Sequence, residues 1–121
     1  MSARTVTVST ADHGDVTIPE PSWCLGKHPW ESYREDIAHQ GAQIEAFIET
    51  PCHGRVSMLA AALVQRPFSP TDPHVRVSLD MDGDWHDLDA CALDAAAAAF
   101  VDYAAVLRRL ARQLPVLEAG R

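Results

Sequence analysis

Residues 21–41 read PSWCLGKHPWESYREDIAHQG, and the fold turns on what holds this segment in place. It carries Cys24, His28 and His39, three side chains able to ligate a metal, together with Trp23 and Trp30. Pro21, Gly26, Pro29 and Gly41 interrupt it. It is too irregular and too polar to order itself by burying apolar surface, so a zinc ion is the expected fastening. Zinc takes four tetrahedral ligands of sulfur, imidazole or carboxylate, and short spacings relieved by Gly and Pro let neighbouring side chains converge on one centre. Cys24 and His28 form C-x3-H, and His39 follows. The fourth ligand has several candidates: Cys52 is chemically the best, Glu20 is the nearest in sequence to Cys24, and Asp36 and His53 complete the set. The site read from the sequence is therefore Cys24, His28, His39 and Cys52, with Trp23 and Trp30 shielding it from water. Within the segment, Ser32 and Glu35 make the S-x-x-E pattern of a capping box. That predicts a short helix from Ser32 to His39, with Asp36 and His39 on one face.

Upstream of this knuckle, Val6 and Val8 alternate with Thr5, Thr7 and Ser9, the period of a half-buried strand. The turn residues Asp12 to Asp15 follow, then Val16 and Ile18, so an N-terminal hairpin is expected. Downstream, Gln43 to Thr50 alternates Ile44, Ala46 and Ile48 with polar residues until Phe47 breaks the pattern. After the turn Pro51-Cys52-His53-Gly54 comes the apolar run Val56 to Val64. Its periodicity fits a strand or a helix, and strand is preferred because two turn-bounded runs make a hairpin. Pro67, Pro70 and Pro73 mark a loop expected to project from the sheet. His74 to Met81 and Asp84 to Leu88 flank Asp82-Gly83, a pair suited to a tight hairpin turn. From Asp89 to Leu114 a helix is expected, with Pro115 marking its end. Leu93, Ala97, Phe100, Ala104, Leu107, Ala111 and Leu114 form an apolar stripe on it that either covers the sheet or pairs two copies of the chain as a homodimer.

The expected architecture is α+β in a single domain, 1–121: an antiparallel, meander-like sheet, one long C-terminal helix at about 90–114 packed across it, and a Cys/His knuckle at 20–41. At 121 residues with 47% hydrophobic composition the chain supports one modest core that gains from a metal cross-link. The net charge of -7 disfavours binding to nucleic-acid phosphates. Three cysteines make no even disulfide framework, and MSARTVTVST lacks an apolar secretion signal. No uninterrupted apolar run approaches the ~20 residues that cross a bilayer, so a soluble, cytoplasmic protein is expected, with no membrane partner. The acidic series Asp80, Asp82, Asp84, Asp87 and Asp89 does not place Gly83 or a Glu where a calcium-binding EF-hand loop requires them. Cys52 and His53, adjacent in a turn, are poorly placed to act as nucleophile and base, and Cys24 with His28 lacks an orienting third group. No phosphate-binding, dinucleotide, zincin or serine-hydrolase motif occurs.

The run P-S-W-C at Pro21 to Cys24, then His28, then E-D-x-x-H-x-G from Glu35 to Gly41, resembles a family of small uncharacterised actinobacterial proteins. In that family a C-P-x-W-C-x3-H opening precedes a D-x-x-H, followed by strands and an alanine-rich helix. The resemblance matches Trp23, Cys24, His28, Asp36 and His39, and sets Glu20 where the family often has its first cysteine. It implies a recurring fold and no activity. The function expected is a small zinc-stabilised interaction or regulatory module without catalytic activity, working through a protein partner. The alternatives are a metal-dependent enzyme with an open zinc position, in which Asp36 or Glu20 would be the base, and an acidic protein that sequesters a basic DNA-binding partner.

Overall fold

The computed structural model describes residues 4–28 and 33–121. They form two compact units, Met1–Asp89 and Ala90–Arg121. The first is built of antiparallel strands. β1 (Arg4–Thr10) and β2 (Gly14–Glu20) make a two-stranded sheet of their own. A 3-10 turn at Arg34–Asp36 leads to β3 (His39–Gln40), β4 (Ile44–Thr50), β5 (Gly54–Gln65), β6 (Arg76–Met81) and β7 (Asp84–Leu88), which form a second sheet. The second unit is the helix α1 (Ala90–Ala119). The class is α+β, as the residue pattern implies.

β5 is the spine of the larger sheet. On one edge it pairs with β4 from Gly54 to Ala61 and with β3 at Val64 and Gln65, while β6 runs along the other edge from Ala60 to Val64. Val56 to Val64 is thus strand, because antiparallel pairing with β4 engages its first half and pairing with β6 its second. The Gly41 N–H donates to Leu63 O at 2.9 Å, joining β3 and β4 into one interrupted edge. The register slips between Ala46 and Phe47, so the break in alternation at Phe47 is a β-bulge. Arg55 stacks on the freed Phe47 ring at 4.1 Å. None of β4 is buried: Ile44 is 75% exposed.

Two hairpins close with the same loop. Thr10-Ala11-Asp12-His13-Gly14 and Thr50-Pro51-Cys52-His53-Gly54 share T-x-x-H-G, and in each the threonine Oγ1 accepts the histidine N–H (2.9 and 3.0 Å) and donates to the glycine carbonyl (2.7 and 3.1 Å). Gly14 and Gly54 both sit at φ 63, a left-handed conformation that glycine adopts without steric cost. Replacing Thr50 by alanine removes both bonds at an exposed site and is expected to cost about 1 kcal/mol, read as a shift in the urea midpoint with an unchanged m-value. The third hairpin turns at Asp82 (φ 56) and Gly83 (φ 80), as the Asp-Gly pair predicts.

The core of the first unit is small. Val8, Ile18 and Ile37 form its buried cluster, with Val6, Val16 and Phe68 packed against it. Two expectations are corrected here. The proline-rich loop after β5 does not simply project, because Phe68 folds back onto the cluster and takes the Arg34 guanidinium over its ring at 4.0 Å. The helix expected over Ser32 to His39 is a single 3-10 turn, Ser32 itself lying outside the described residues. His39 and Gln40 pair with Gln65 and Val64, and Leu25 N–H donates to Gln40 O at 2.9 Å. A helix reaching His39 would forfeit those bonds.

α1 continues through Pro115 to Ala119, beyond the expected stop. Proline's fixed φ is helical; it forfeits one backbone donor, and only one more turn follows. None of the residues of α1 is buried, and its large apolar side chains include Val101 (69% exposed), Leu114 (64%) and Val116 (74%). By length and composition alone α1 could cross a membrane, although Asp94, Asp102, Arg108, Arg109 and Arg112 interrupt it.

Candidate metal centre

In β2 the burial alternates, with Val16 partly buried and Ile18 and Glu20 buried. Glu20 therefore occupies the third inward position of a strand whose other inward positions are apolar, and it delivers a carboxylate to the interior. The chain then turns sharply, with the Cys24 N–H donating to Pro21 O at 3.0 Å. Gly26, at φ 80, directs its N–H to the Cys24 sulfur at 3.4 Å. A side chain at Gly26 would be strained in that conformation. His28 comes from the knuckle and His39 from β3.

These four side chains meet. One donor atom from each of Glu20, Cys24, His28 and His39 lies within 4.8 Å of every other. Cys24 Sγ is 3.8 Å from His28 Nε2, His28 Nε2 is 2.5 Å from Glu20 Oε1, and His39 Nδ1 is 3.6 Å from Glu20 Oε1. The side chains of Glu20 and His28 are each 5% exposed and that of His39 is 2% exposed. The His28 and His39 rings meet edge to face at 5.4 Å, and Trp23 presents an edge-to-face contact to His39 at 6.3 Å. Trp30 lies outside the described residues. From β1, Arg4 Nη2 donates to Cys24 O at 3.3 Å and Arg4 Nε lies 4.0 Å from Glu20 Oε2. Gly41 sits where the Trp23 carbonyl and β5 converge, with a virtual Cβ 3.4 Å from both Trp23 O and Leu63 Cβ.

The donor set could hold a metal ion. Around a tetrahedral zinc, bonds of ~2.0–2.3 Å set neighbouring donors ~3.3–3.8 Å apart, the range of the Cys24–His28 and His39–Glu20 separations. The His28–Glu20 separation of 2.5 Å is shorter than that range and is that of a direct hydrogen bond, so the two side chains would have to part slightly around an ion. His39 Nδ1 is buried with no hydrogen-bond partner. An unmade hydrogen bond on a buried imidazole costs free energy, and a metal ion would remove that cost.

Burial pushes the Glu20 carboxyl up, but hydrogen bonds from Cys24 and His28, and the charges of His28 and Arg4, outweigh it and hold it below 4.5. Burial, reinforced by the carboxylate of Glu20, raises the Cys24 thiol above 9.0. His39 is lowered from 6.5 by burial and by the charge of His28, against the opposing pull of Glu20. In the metal-free protein His39 and Glu20 both take up protons more readily when unfolded. Their contribution to stability is present above 6.5 and 4.5 and is lost as pH falls toward their lowered folded values. Cys24 acts in the other direction, its contribution declining as pH rises above 9.0. Thermal unfolding of chelator-treated protein should thus show a plateau near neutrality, with the acid limb starting near 6.5 and shifting downward in His39→Asn.

The structure brings together three of the four residues singled out from sequence. Cys52 is exposed in the β4–β5 turn and is not one of the converging donors; its neighbour His53 is tied by its N–H to Thr50. Asp36 is exposed on the 3-10 turn. The place given to Cys52 is taken by Glu20. Two signals pointed there: an acidic residue at the inward position set by Val16 and Ile18, and the T-x-x-H-G repeat that marks Cys52-His53 as turn residues.

The fold and site define a small α+β domain with a buried Glu/Cys/His/His cluster. The chain belongs to the family described as Domain of unknown function (DUF6907), whose model matches residues 5–116. No curated protein and no solved structure matches it.

Proposed function

We propose that this protein is a small zinc-stabilised interaction module without catalytic activity, in which Glu20, Cys24, His28 and His39 hold the ion. The observation that carries the reading is the convergence of four donors with buried side chains from three segments, β2, the knuckle and β3, at a point where His39 Nδ1 has no hydrogen-bond partner. An ion there would tie the N-terminal hairpin to the larger sheet, which the small Val8, Ile18 and Ile37 cluster alone does weakly. A metal bound to the folded state only is a direct contribution to stability. Trp23-Cys24 with His28, and Asp36 with His39, form the recurring metal signature in this reading, with Glu20 in place of a cysteine. A reduced cytoplasmic setting would keep Cys24 a free thiol, which gives up its proton on binding the ion. The partner is a protein, engaged through the exposed apolar stripe of α1, and a second copy of the chain is the first to test.

Cobalt(II) replaces zinc as a coloured probe. The expected spectrum has intense visible bands of a four-coordinate ion and a near-ultraviolet thiolate charge-transfer band that disappears in Cys24→Ser. Weak six-coordinate bands without the thiolate feature would reject the reading.

A second reading, a metal-dependent enzyme, has one observation behind it. Glu20 and His39 also line a cavity of about 460 Å3 walled by Ile18, Pro21, Pro67 and Phe68. If Glu20 gave way to water, a reacting molecule could reach the metal from there. Azide added to the cobalt form separates the two: a shifted spectrum favours the open site, an unchanged one the closed module.

A further inference from the structure

The larger sheet carries a second concavity that uses none of the four donors. The pairing registers set Gln40, Val64 and Arg76 in one row across a face, Ala62, Ser78 and Asp87 in the next, and Glu45, Ala60, Asp80 and Trp85 in a third. In the middle row the central strands supply the small side chains of Ala62 and Ser78, with longer ones around them. The result is a trough of about 430 Å3 floored by Ala62 and Ser78 and rimmed by Gln40, Gln43, Arg66, Trp85 and Asp87. That volume lies within the ~300–1,000 Å3 of small-molecule sites.

Its chemistry narrows the ligand. Trp85 is 46% exposed, leaving indole surface open to a flat apolar face. The lining offers two side-chain amides, the Ser78 hydroxyl and a carboxylate, which between them donate to and accept from neighbouring hydroxyls. Its cations are already engaged: Arg66 Nη1 lies 3.0 Å from Asp87 Oδ2, and Arg76 Nε on the same face lies 2.9 Å from Asp72 Oδ2. Glu45 and Asp80, in the next row of the same face, bring two more carboxylates beside the trough. A phosphorylated or otherwise anionic ligand is therefore repelled. A neutral ring with one C–H face and a rim of hydroxyls matches the exposed indole, the two amides, the hydroxyl and the carboxylate of this lining.

We propose that this trough is a saccharide site that takes one neutral hexose unit, its C–H face on Trp85 and its hydroxyls on Gln40, Gln43, Ser78 and Asp87. The unit is a free monosaccharide or the end of a glycan, two sources with the same chemistry. The test is a titration of the isotope-labelled full chain followed by NMR, with glucose, galactose, mannose and N-acetylglucosamine, their short oligosaccharides, glucose 6-phosphate and adenosine. The expected result is a saturable shift of the Trp85 indole N–H and the Gln40 and Gln43 side-chain amides with a neutral sugar, and binding of glucose 6-phosphate weaker by about tenfold or more. A monosaccharide that binds as well as its oligosaccharides indicates the free sugar, and a marked gain with chain length indicates the glycan end. Trp85→Ala should abolish the shifts of the two amides with an unchanged melting temperature. Asp87→Asn, which frees Arg66, should narrow the gap between glucose 6-phosphate and glucose. No saturable shift with any neutral sugar, a response to adenosine alone, or full binding by folded Trp85→Ala would overturn the proposal.

Discussion

Cys24→Ser is expected to weaken zinc binding by at least about a hundredfold. Altering groups that merely orient a ligand costs 10–100-fold, and this change removes the only sulfur from the donor set. A serine hydroxyl is a harder and far weaker donor for zinc, while its oxygen can still accept from the Gly26 N–H that now points at the sulfur, so the loss is one of metal ligation. Competition against a chromophoric chelator measures the change. Cys52→Ser, in an exposed turn, supplies the control and should leave affinity within about twofold. Equal losses from the two variants would reject the assignment. The complementary change, Glu20→Cys, places a soft thiolate at the inward end of β2 and should tighten binding. Unchanged binding in Glu20→Ala would mean that the carboxylate is no ligand.

Ile37→Ala should destabilise the protein by about 2–5 kcal/mol, the usual cost of emptying a buried aliphatic site. Ile37 is 2% exposed and belongs to a buried cluster whose other members are Val8 and Ile18. So small a core has few neighbours that could collapse into the space. Ile37 also precedes His39 by two residues, so loosening it should loosen β3 and lower zinc affinity in the same variant. Urea unfolding with and without zinc separates the two effects. A loss below about 1 kcal/mol would show that this cluster is not what joins the hairpin to the 3-10 turn.

Much of the architecture was legible because it rests on local pattern. Val6 and Val8 against threonines, Asp82-Gly83, and the alanine-rich run after Asp89 each name one element with little competition. The bulge was also visible as the broken alternation at Phe47. What escaped depended on pairing between distant segments. His39 is a strand residue because Gln65 lies opposite it, a partner that the capping pattern at Ser32 and Glu35 does not reveal. Pro115 suggested a stop because proline is a poor helix residue, yet its backbone angle is helical and one turn follows it. Cys24, His28 and His39 stood out by residue type. Glu20 was harder to select against Cys52 because sulfur is the better ligand in isolation. Strand alternation, which sends Val16, Ile18 and Glu20 inward together, outweighs that preference.

The metal content of the protein tests the central claim most directly. The full chain should be purified without a polyhistidine tag and without chelators, and analysed by inductively coupled plasma and native mass spectrometry. The account predicts about one equivalent of zinc per chain, lost on chelation together with a clear drop in melting temperature, and lost in Cys24→Ser. A folded protein that holds no transition metal, takes up none when zinc is offered, and melts at the same temperature with or without chelator would contradict it.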